Sequence, residues 1–241
     1  MFNDPWKDLR GEMKLFGNTE PNIELIAITT PTNIISNTDP RSVIECIPAI
    51  AAGTSYEKEA TTIEKATILN KKLIQLQHEV PLEALQINFK LTGISKITGA
   101  QISRHRVGGS HVSLSRRYTK QKPGFVFPGL SYITKKEDAK EIYTALSLSF
   151  ESAMKEYNHL LDEGCRKADA RYLIPASTAT TRNMWMNIRA LRHFLKLRLA
   201  PDSEWEIRRL SYMLLELVYN LTPSLFEDII EKYLPELKKS S

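Results

Sequence analysis

The residues best suited to chemistry on an anionic ligand are arginines and histidines in the middle of the chain. The segment 104–106 reads Arg-His-Arg, and Ser-Arg-Arg-Tyr follows at 115–118. A guanidinium offers a planar fork of donors that matches phosphate oxygens or the carbonyl edge of a pyrimidine. Gly108 and Gly109, between the two segments, would let the backbone approach such a ligand closely. A solvated basic loop would explain the same residues, and on composition alone it is the commoner case.

The overall composition is that of a globular protein with a mild positive charge. The 241 residues are 42% hydrophobic and 25% charged, and the formal net charge is +5. The positive excess is local, because residues 104–122 hold six lysines and arginines and residues 182–198 hold five, with no acid in either segment. Such patches favour anionic partners, and nucleotides and nucleic acids both qualify.

Several functional classes are disfavoured because their patterns are missing from the sequence. Cys46 and Cys165 are the only cysteines, which argues against a disulfide framework and against a cysteine-ligated zinc site. No glycine-rich dinucleotide or triphosphate loop occurs, and no histidine spacing indicates a metal. The first fifteen residues lack the apolar core of a signal peptide, and no run approaches the about 18 apolar residues of a membrane span. We therefore expect a cytoplasmic protein without a metal.

Local patterns predict strands and a helix ahead of the Arg-His-Arg segment. Residues 23–28 form a short apolar run, and residues 85–91 alternate strictly between apolar and polar side chains, so both are predicted strands. The capping-box pattern at 61–64 predicts the start of a helix. A short helix within 94–106 would place Gln101 and Arg104 one turn apart, and a loop from Val107 to about Pro128 would follow.

The second half of the chain is predicted to be mostly helical. A capping-box pattern at 134–137 starts a long helix that Gly164 would end. Further helices are predicted at 182–199, from 203 to 221, and from 223 to 238 with an interruption at Pro235. The sequence therefore predicts an α+β protein with one domain, residues 22–241, preceded by an N-terminal arm of residues 1–21.

Five motifs occur along the chain in an order typical of one enzyme family. The first two are Ala-Ala-Gly-Thr-Ser-Tyr at 51–56 and His-Glu-Val-Pro-Leu-Glu at 78–83. Gln-Ile-Ser-Arg-His-Arg at 101–106, with Ser115 and Arg-Tyr after it, is the third. The most extensive matches are C-terminal, at 170–175 and at 181–207. Over about residues 22–230 the chain resembles the flavin-dependent thymidylate synthases.

That resemblance implies a fold, an assembly and a reaction. The fold is a small, mostly antiparallel sheet with long helices, in homotetramers whose active sites lie at subunit interfaces. The reaction takes a methylene group from methylenetetrahydrofolate and a hydride from reduced FAD to convert dUMP to dTMP, and NAD(P)H reloads the flavin. Because the cofactor carries the hydride, the protein needs positioning groups more than a nucleophile.

The resemblance also implies a role for individual residues. Arg198 and Ser115 are the catalytic candidates, and Arg198 matches the arginine that polarises the uracil ring toward attack from C5. Flavin contacts are expected from Glu83, Arg104, His105, Arg106, Asn187, Arg189 and His193. Nucleotide contacts are expected from Gln101, Arg104, Ser115, Arg116, Arg117, Arg171 and Arg198.

A single helix over 182–198 would carry polar groups on opposite faces. At about 100° per residue, Arg182 and Arg189 lie on one face, whereas Asn187 and Arg198 lie on the other. Such a helix has little apolar stripe to bury in its own core, which predicts a position between subunits.

The sequence departs from the family pattern at the rims of the expected site. The loop between Arg106 and Ser115 is one residue longer than in the family, and residues 107–118 lack the acid that the family usually has there. Val80 replaces a hydroxyl residue and Ala84 replaces a histidine.

Three functions stay open on this evidence. The chain is an active thymidylate synthase, a flavoprotein of the same fold with another pyrimidine nucleotide or altered transfer chemistry, or a non-catalytic nucleic-acid-binding module. The third function calls for aromatic residues among the basic ones, and residues 104–122 offer only Tyr118, so nucleic acid is the least favoured partner.

Overall fold

A four-stranded antiparallel sheet forms the centre of the described structure. The computed structural model describes residues 19–31, 43–55, 62–122, 124–127 and 139–238. Its strands are β1 (Asn22–Ile28), β2 (Gln86–Ser95), β3 (Gly109–Ser113) and β4 (Ala179–Asn187). They lie in the order β1-β2-β4-β3, so β4 separates two strands that are consecutive in the chain.

Helices surround this sheet and confirm the α+β class. They are α1 (Cys46–Thr54), α2 (Ile63–Gln75), α3 (Lys96–Ile102), α4 (Ala139–Asp162), α5 (Lys167–Ala170), α6 (Ile188–Arg198), α7 (Trp205–Leu221), α8 (Pro223–Tyr233) and α9 (Pro235–Lys238). Short 3₁₀ turns cover Val80–Ala84 and Arg171–Leu173. Among the described residues, no helix combines the length and apolarity needed to cross a membrane.

Strict alternation in β2 produces the buried face of the sheet, as predicted. Ile87, Phe89, Leu91 and Ile94 are fully buried, and they belong to one core with residues of α6, α7 and α8. The prediction of β1 is also confirmed, since Asn22–Ile28 pairs antiparallel with β2. Alternation identifies these strands because successive side chains point to opposite faces of a sheet.

The predicted helix over 182–199 is wrong in its first third. Residues 182–187 belong to β4, and the helix α6 begins only at Ile188. Thr180, Arg182, Met184 and Met186 are buried at every second position, which is the period of a strand. Because Arg182 occupies one of these buried positions, the hydrophobicity pattern of the sequence does not show the alternation.

The expectation that this helix lacks an apolar stripe is therefore also wrong. Arg182 and Asn187 are not on the helix, and the remaining eleven residues are strongly amphipathic. Ile188, Leu191, Phe194 and Leu195 are fully buried in the chain's own core. The argument that placed this helix between subunits loses its basis.

The loop predicted from 107 to 128 contains a strand. Gly109–Ser113 forms β3, which pairs with β4 and places Ser113 opposite Arg182. The helix predicted within 94–106 is present but ends at Ile102, so Arg104 lies beyond it in a turn. Gln101 and Arg104 are therefore positioned by a helix end and a turn rather than by one helical face.

The predicted helix start near residue 61 is confirmed, but its N-cap is Thr62 and not the first residue of the capping-box pattern. Thr62 caps α2, because its hydroxyl accepts a hydrogen bond from the Lys65 amide at 3.3 Å. The α4 helix ends before Gly164, whose φ of +88° reverses the chain there. The capping-box pattern predicted at 134–137 lies outside the described residues, as does Thr61.

Two buried polar contacts attach distant segments to the sheet. The Glu206 carboxylate at the start of α7 accepts hydrogen bonds from the Ser95 amide at 2.7 Å and from the Ser95 hydroxyl. Burial raises the pKa of Glu206, and the hydrogen bonds from Ser95 oppose that rise. Glu20, at the end of the predicted N-terminal arm, forms an ion pair with the buried Arg209. Residues 1–18 of that arm lie outside the described residues.

Candidate active site

A hydrogen bond between Arg198 and His105 brings the Arg-His-Arg segment to the end of α6. The Nε of Arg198 donates to Nε2 of His105 at 3.0 Å, across 93 positions of sequence. The His105 ring also packs edge-on against Phe194, with ring centroids 4.8 Å apart, and lies 6.4 Å from the His193 ring. Three residues that the sequence assigns to cofactor or substrate, His105, His193 and Arg198, therefore share one cluster with Phe194, and Arg104 lies beside them. We call this set, Arg104, His105, His193, Phe194 and Arg198, the arginine–histidine cluster.

The His105 imidazole is neutral at physiological pH. Burial, and then the charges of Arg198 and His193, lower the pKa of His105 to about 4. Because Nε2 accepts the proton of Arg198, the ring proton of the neutral form lies on Nδ1. His105 can therefore hold the guanidinium in place without adding a second positive charge.

This lowered pKa of His105 predicts that the free energy of unfolding decreases at acid pH. The pKa in the folded state, about 4, lies below the unfolded value of 6.5, so the stabilisation is complete above pH 6.5 and is lost as the pH falls toward 4. Because His105 is only half-buried, we expect a loss of about 1–2 kcal/mol over this window, less than the full shift would give. Urea unfolding of wild type and His105→Gln at pH 7 and pH 4.5 measures it. An equal pH dependence in both proteins would contradict the assignment.

Arg104 adds a second positive charge near Arg198. The pKa of Arg198 is lowered first by burial and then by the charge of Arg104. Gln101 lies near the start of α7, where its amide donates a hydrogen bond to Glu204. The charge of Arg104 therefore acts on Arg198, whereas the side-chain amide of Gln101 donates to a carboxylate within the chain.

The exposed face of α6 carries two further predicted flavin contacts. Arg189 and His193 are both exposed and lie four residues apart, so they share one face. Arg189 forms ion pairs with Glu83 at 2.6 Å and with Glu79 at 3.4 Å. The predicted residues Glu83 and Arg189 are therefore brought together, and the 3₁₀ turn that carries Glu83 is attached to this face of α6.

Asn187 joins the loop after Arg106 to the start of α6. Its side-chain Oδ1 caps the helix by accepting from the Ala190 amide at 2.8 Å. Its backbone amide donates to the Gly108 carbonyl at 2.8 Å. Gly108 has a φ of +72°, and a Cβ there would lie 2.7 Å from the Asn187 side chain, so this junction needs glycine. Asn187 thus has a structural role that the sequence analysis did not predict.

A second group of predicted residues lines a cavity of about 620 Å³. Its lining residues are Lys96, Gly99, Ser113, Leu114, Ser115, Arg116, Arg171, Tyr172, Ile174, Thr180 and Arg182. Ser115, Arg116 and Arg171 are expected nucleotide contacts, and the structure brings these three together. The volume falls in the range of small-molecule sites, which is about 300–1,000 Å³.

Some predicted residues belong neither to the arginine–histidine cluster nor to the lining of the cavity. Arg106 and Arg117 are exposed, and Arg117 lies over the Tyr118 ring at 5.4 Å. The two catalytic candidates also do not line one cavity, because Ser115 lines the cavity and Arg198 contacts His105 in the arginine–histidine cluster.

The sequence analysis missed three residues that contact one another, of which Arg182 lines the cavity. Arg182 lines the cavity and donates to the Ser103 hydroxyl at 2.8 Å, and that hydroxyl also contacts His111 Nε2 at 3.2 Å. A strand assignment for 179–187 would have identified Arg182, because it would have shown an arginine at an inward position. Ser103 and His111 carried no such signal. Within the described part of the chain, no group of His, Cys, Asp and Glu is placed to hold a metal ion.

Comparison with known proteins identifies one family of similar sequences. The family model for thymidylate synthase complementing protein matches residues 33–224. A flavin-dependent thymidylate synthase of Geobacter sulfurreducens is 33% identical over 185 residues, which cover 74% of this chain and 75% of that protein. One from Haloarcula marismortui is 29% identical over 241 residues, which cover 90% and 94%.

A solved structure shows the same fold. The crystal structure of a UMP/dUMP methylase, PolB from Streptomyces cacaoi, bound with 5-Br dUMP, has a TM-score of 0.74 and 22% identity. The match covers 87% of this chain and 94% of that chain. The chain therefore belongs to the thymidylate synthase complementing protein family, the family of flavin-dependent thymidylate synthases, and is an enzyme of the methyltransferase class.

Proposed function

We propose that this enzyme converts dUMP to dTMP with FAD as its cofactor, methylenetetrahydrofolate as the carbon donor and NAD(P)H as the reductant. The observation that carries the proposal is the contact of Arg198 with a neutral His105. It fixes a partly buried guanidinium between the Arg-His-Arg segment and α6, where the family resemblance expects flavin and uracil to meet. The family membership is evidence against a non-catalytic nucleic-acid module.

The cations and aromatic rings of the arginine–histidine cluster suit FAD. The cofactor is an anionic dinucleotide with a flat aromatic ring, so it calls for cations and for aromatic edges. The arginine–histidine cluster supplies both, and Arg189 lies on the adjacent exposed face of α6. Bound FAD, once reduced by NAD(P)H, would supply the hydride that turns a methylene into a methyl group.

The groups that the reaction transfers show what the protein itself must do. A methylene carbon from the folate and one hydride make the methyl group, uracil C5 loses a proton, and the folate leaves as tetrahydrofolate. Negative charge must build up on the uracil ring before C5 can attack the methylene carbon. A guanidinium held in a fixed position stabilises that charge without reorganising, which is the role that we propose for Arg198. Ser115 would bind the nucleotide from the cavity side.

Arg198 is not among the residues that line the cavity with Ser115, and this supports an active site that is shared between subunits. Each group presents part of the expected set: nucleotide contacts at the cavity, and flavin contacts with Arg198 in the arginine–histidine cluster. A homotetramer in which one chain's cavity faces another chain's cluster would complete the site. This arrangement is part of the proposed function.

Flavin binding and proton release from C5 test the proposal separately. We expect purified protein to be yellow, to bleach with NAD(P)H, and to release tritium from dUMP labelled at C5 when methylenetetrahydrofolate is present. A colourless protein that gains no FAD on reconstitution would contradict the cofactor. Bound flavin without tritium release would favour the second candidate, a flavoprotein acting on another pyrimidine nucleotide or with altered transfer chemistry. The specific observation for that candidate is the loop 107–118, which lacks the acid usual in the family.

A further inference from the structure

Two glutamates at the start of α7 contact opposite ends of α3. The Glu206 carboxylate accepts hydrogen bonds from the amide and the hydroxyl of Ser95, which is the N-cap residue of α3. The Glu204 carboxylate accepts from the side-chain amide of Gln101, in the last turn of the same helix. These two contacts join residues that are 111 and 103 positions apart in the sequence. The start of α7 therefore holds α3 at both of its ends.

The end of α3 leads directly into the Arg-His-Arg segment. The amide of Arg104 donates to the backbone carbonyl of Gln101 at 3.2 Å. The amide of His105 donates to the Ile102 carbonyl at 3.0 Å, and the His105 ring accepts from Arg198. Gln101 is thus attached by its backbone to the turn that carries Arg104. A residue that fixes the Gln101 side chain therefore acts close to the arginine–histidine cluster.

Glu204 occupies the N-cap position of α7, yet its side chain does not cap this helix. An acceptor at an N-cap usually binds an amide in the first turn of its own helix and stabilises that helix. Glu204 instead extends to Gln101 on α3. Because Glu204 is exposed, this single hydrogen bond adds only modestly to the stability of the fold. Its main effect is on the orientation of the Gln101 side chain.

The Glu204 carboxylate determines which way the Gln101 amide points. A glutamine amide has a donor end and an acceptor end of nearly the same shape. Nε2 of Gln101 donates to Glu204, whereas Oε1 is buried and has no hydrogen-bond partner among the described residues. Turning the amide over would bring Oε1 against a negatively charged oxygen, which is unfavourable. The amide is therefore fixed with its nitrogen toward Glu204.

This orientation leaves Gln101 with one proton to donate. The amide nitrogen carries two protons, and the Glu204 carboxylate accepts one of them. The other is available to an acceptor, and a pyrimidine nucleotide offers acceptors at its ring carbonyls, its sugar oxygens and its phosphate. A donor that is already fixed in position loses little conformational entropy when the ligand binds.

We propose that Glu204 is a positioning residue, which holds Gln101 so that the second proton on Nε2 is donated to the substrate nucleotide. This inference rests on the proposed function for its ligand, dUMP, and on the nucleotide contact expected of Gln101. It adds a residue to which the sequence analysis gave no role. Because Glu204 contacts Gln101 and not the nucleotide, its effect on binding passes entirely through Gln101.

Calorimetric titration of the full-length protein with dUMP tests this in a double-mutant cycle. For Glu204→Ala, we expect the dUMP dissociation constant to rise about 3- to 10-fold, as for the loss of one hydrogen bond. Glu204→Gln should bind dUMP as the wild type does, because its side-chain carbonyl can still accept from Gln101. In a protein that already carries Gln101→Ala, the further change Glu204→Ala should have no effect.

Two controls separate positioning from a structural effect. The urea midpoint of unfolding should be nearly the same in Glu204→Ala and the wild type, because the side chain is exposed and caps no helix. The matched variant is Glu64→Ala, which removes an exposed carboxylate from the first turn of α2 and should leave dUMP binding unchanged.

Several results would overturn the proposal. An unchanged or tighter affinity for dUMP in Glu204→Ala would show that Glu204 does not support Gln101. A loss that persists in the Gln101→Ala protein would show that Glu204 does not act through Gln101. Binding by Glu204→Gln as weak as that by Glu204→Ala would exclude the hydrogen bond as the cause.

Turnover is measured separately, so that failure of the proposed function is distinguishable. A protein that binds dUMP with the expected dependence on Glu204 but does not methylate it would contradict the proposed function and support the positioning role. Methylation with an affinity that is independent of Glu204 would overturn the positioning role alone. A wild type that does not bind dUMP would overturn both.

Discussion

Arg198→Ala should lower the turnover of dUMP methylation by about 100- to 1,000-fold, the loss typical when a fixed donor to a developing anion is removed. The protein should keep its FAD, because the other expected flavin contacts, among them His193 and Arg189, stay in place. The guanidinium is held by its hydrogen bond to neutral His105, so the variant removes both the charge and its fixed position. Steady-state kinetics with flavin content measured by absorbance gives both quantities from one preparation.

The control for this experiment is an arginine outside the expected site. Arg208→Ala removes a side chain on α7 that donates to the Pro201 carbonyl at 2.8 Å, and it should leave turnover unchanged. Unchanged turnover in Arg198→Ala would remove Arg198 from the chemistry. Loss of FAD together with turnover would instead make Arg198 a cofactor-binding or structural residue.

Asp228→Ala should lower the free energy of unfolding by about 3–5 kcal/mol, the cost of leaving a buried charge without its partner. Arg192 is only 1% exposed, and its two terminal nitrogens donate to the two Asp228 carboxylate oxygens at 2.8 Å each. Removing the carboxylate leaves this buried guanidinium, between α6 and α8, without a counter-ion and with the Leu225 carbonyl as a remaining hydrogen-bond acceptor. Urea unfolding measures the change.

Two further variants separate charge burial from the simple loss of contacts. Lys196 approaches the same carboxylate at 3.7 Å but is about half-exposed, so Lys196→Ala should cost less than about 1 kcal/mol. The double variant Arg192→Met with Asp228→Ala removes both charges and should recover much of the stability. A double variant no more stable than Asp228→Ala would refute the charge-burial explanation.

The sequence predicts well those elements whose own residues carry a clear period. The alternation of β2 and the start of α2 needed no knowledge of other segments, and the structure confirms both, with the cap of α2 one residue later than the pattern predicts. By contrast, β3 is short and mostly exposed, and its position depends on pairing with β4. No local pattern could predict it, because the pairing partner lies about 70 residues away in the sequence.

The candidate site was predictable in its residues but not in its arrangement. The resemblance to a family identified Arg198, His105 and Ser115, but it could not show that they fall into two groups within one chain. Arg182 was misplaced on a helix for a physical reason, since a buried arginine interrupts the hydrophobic alternation from which strands are recognised.

The order of the strands has a consequence for synthesis on the ribosome. Strands β2 and β3 are neighbours in the chain, yet β4 lies between them and reaches residue 187 of 241. Neither strand can therefore complete its pairing until more than three-quarters of the polypeptide has emerged. Until then, apolar β2 has an open edge on which β4 will later pair, and nascent chains of this enzyme should need protection from one another during that interval.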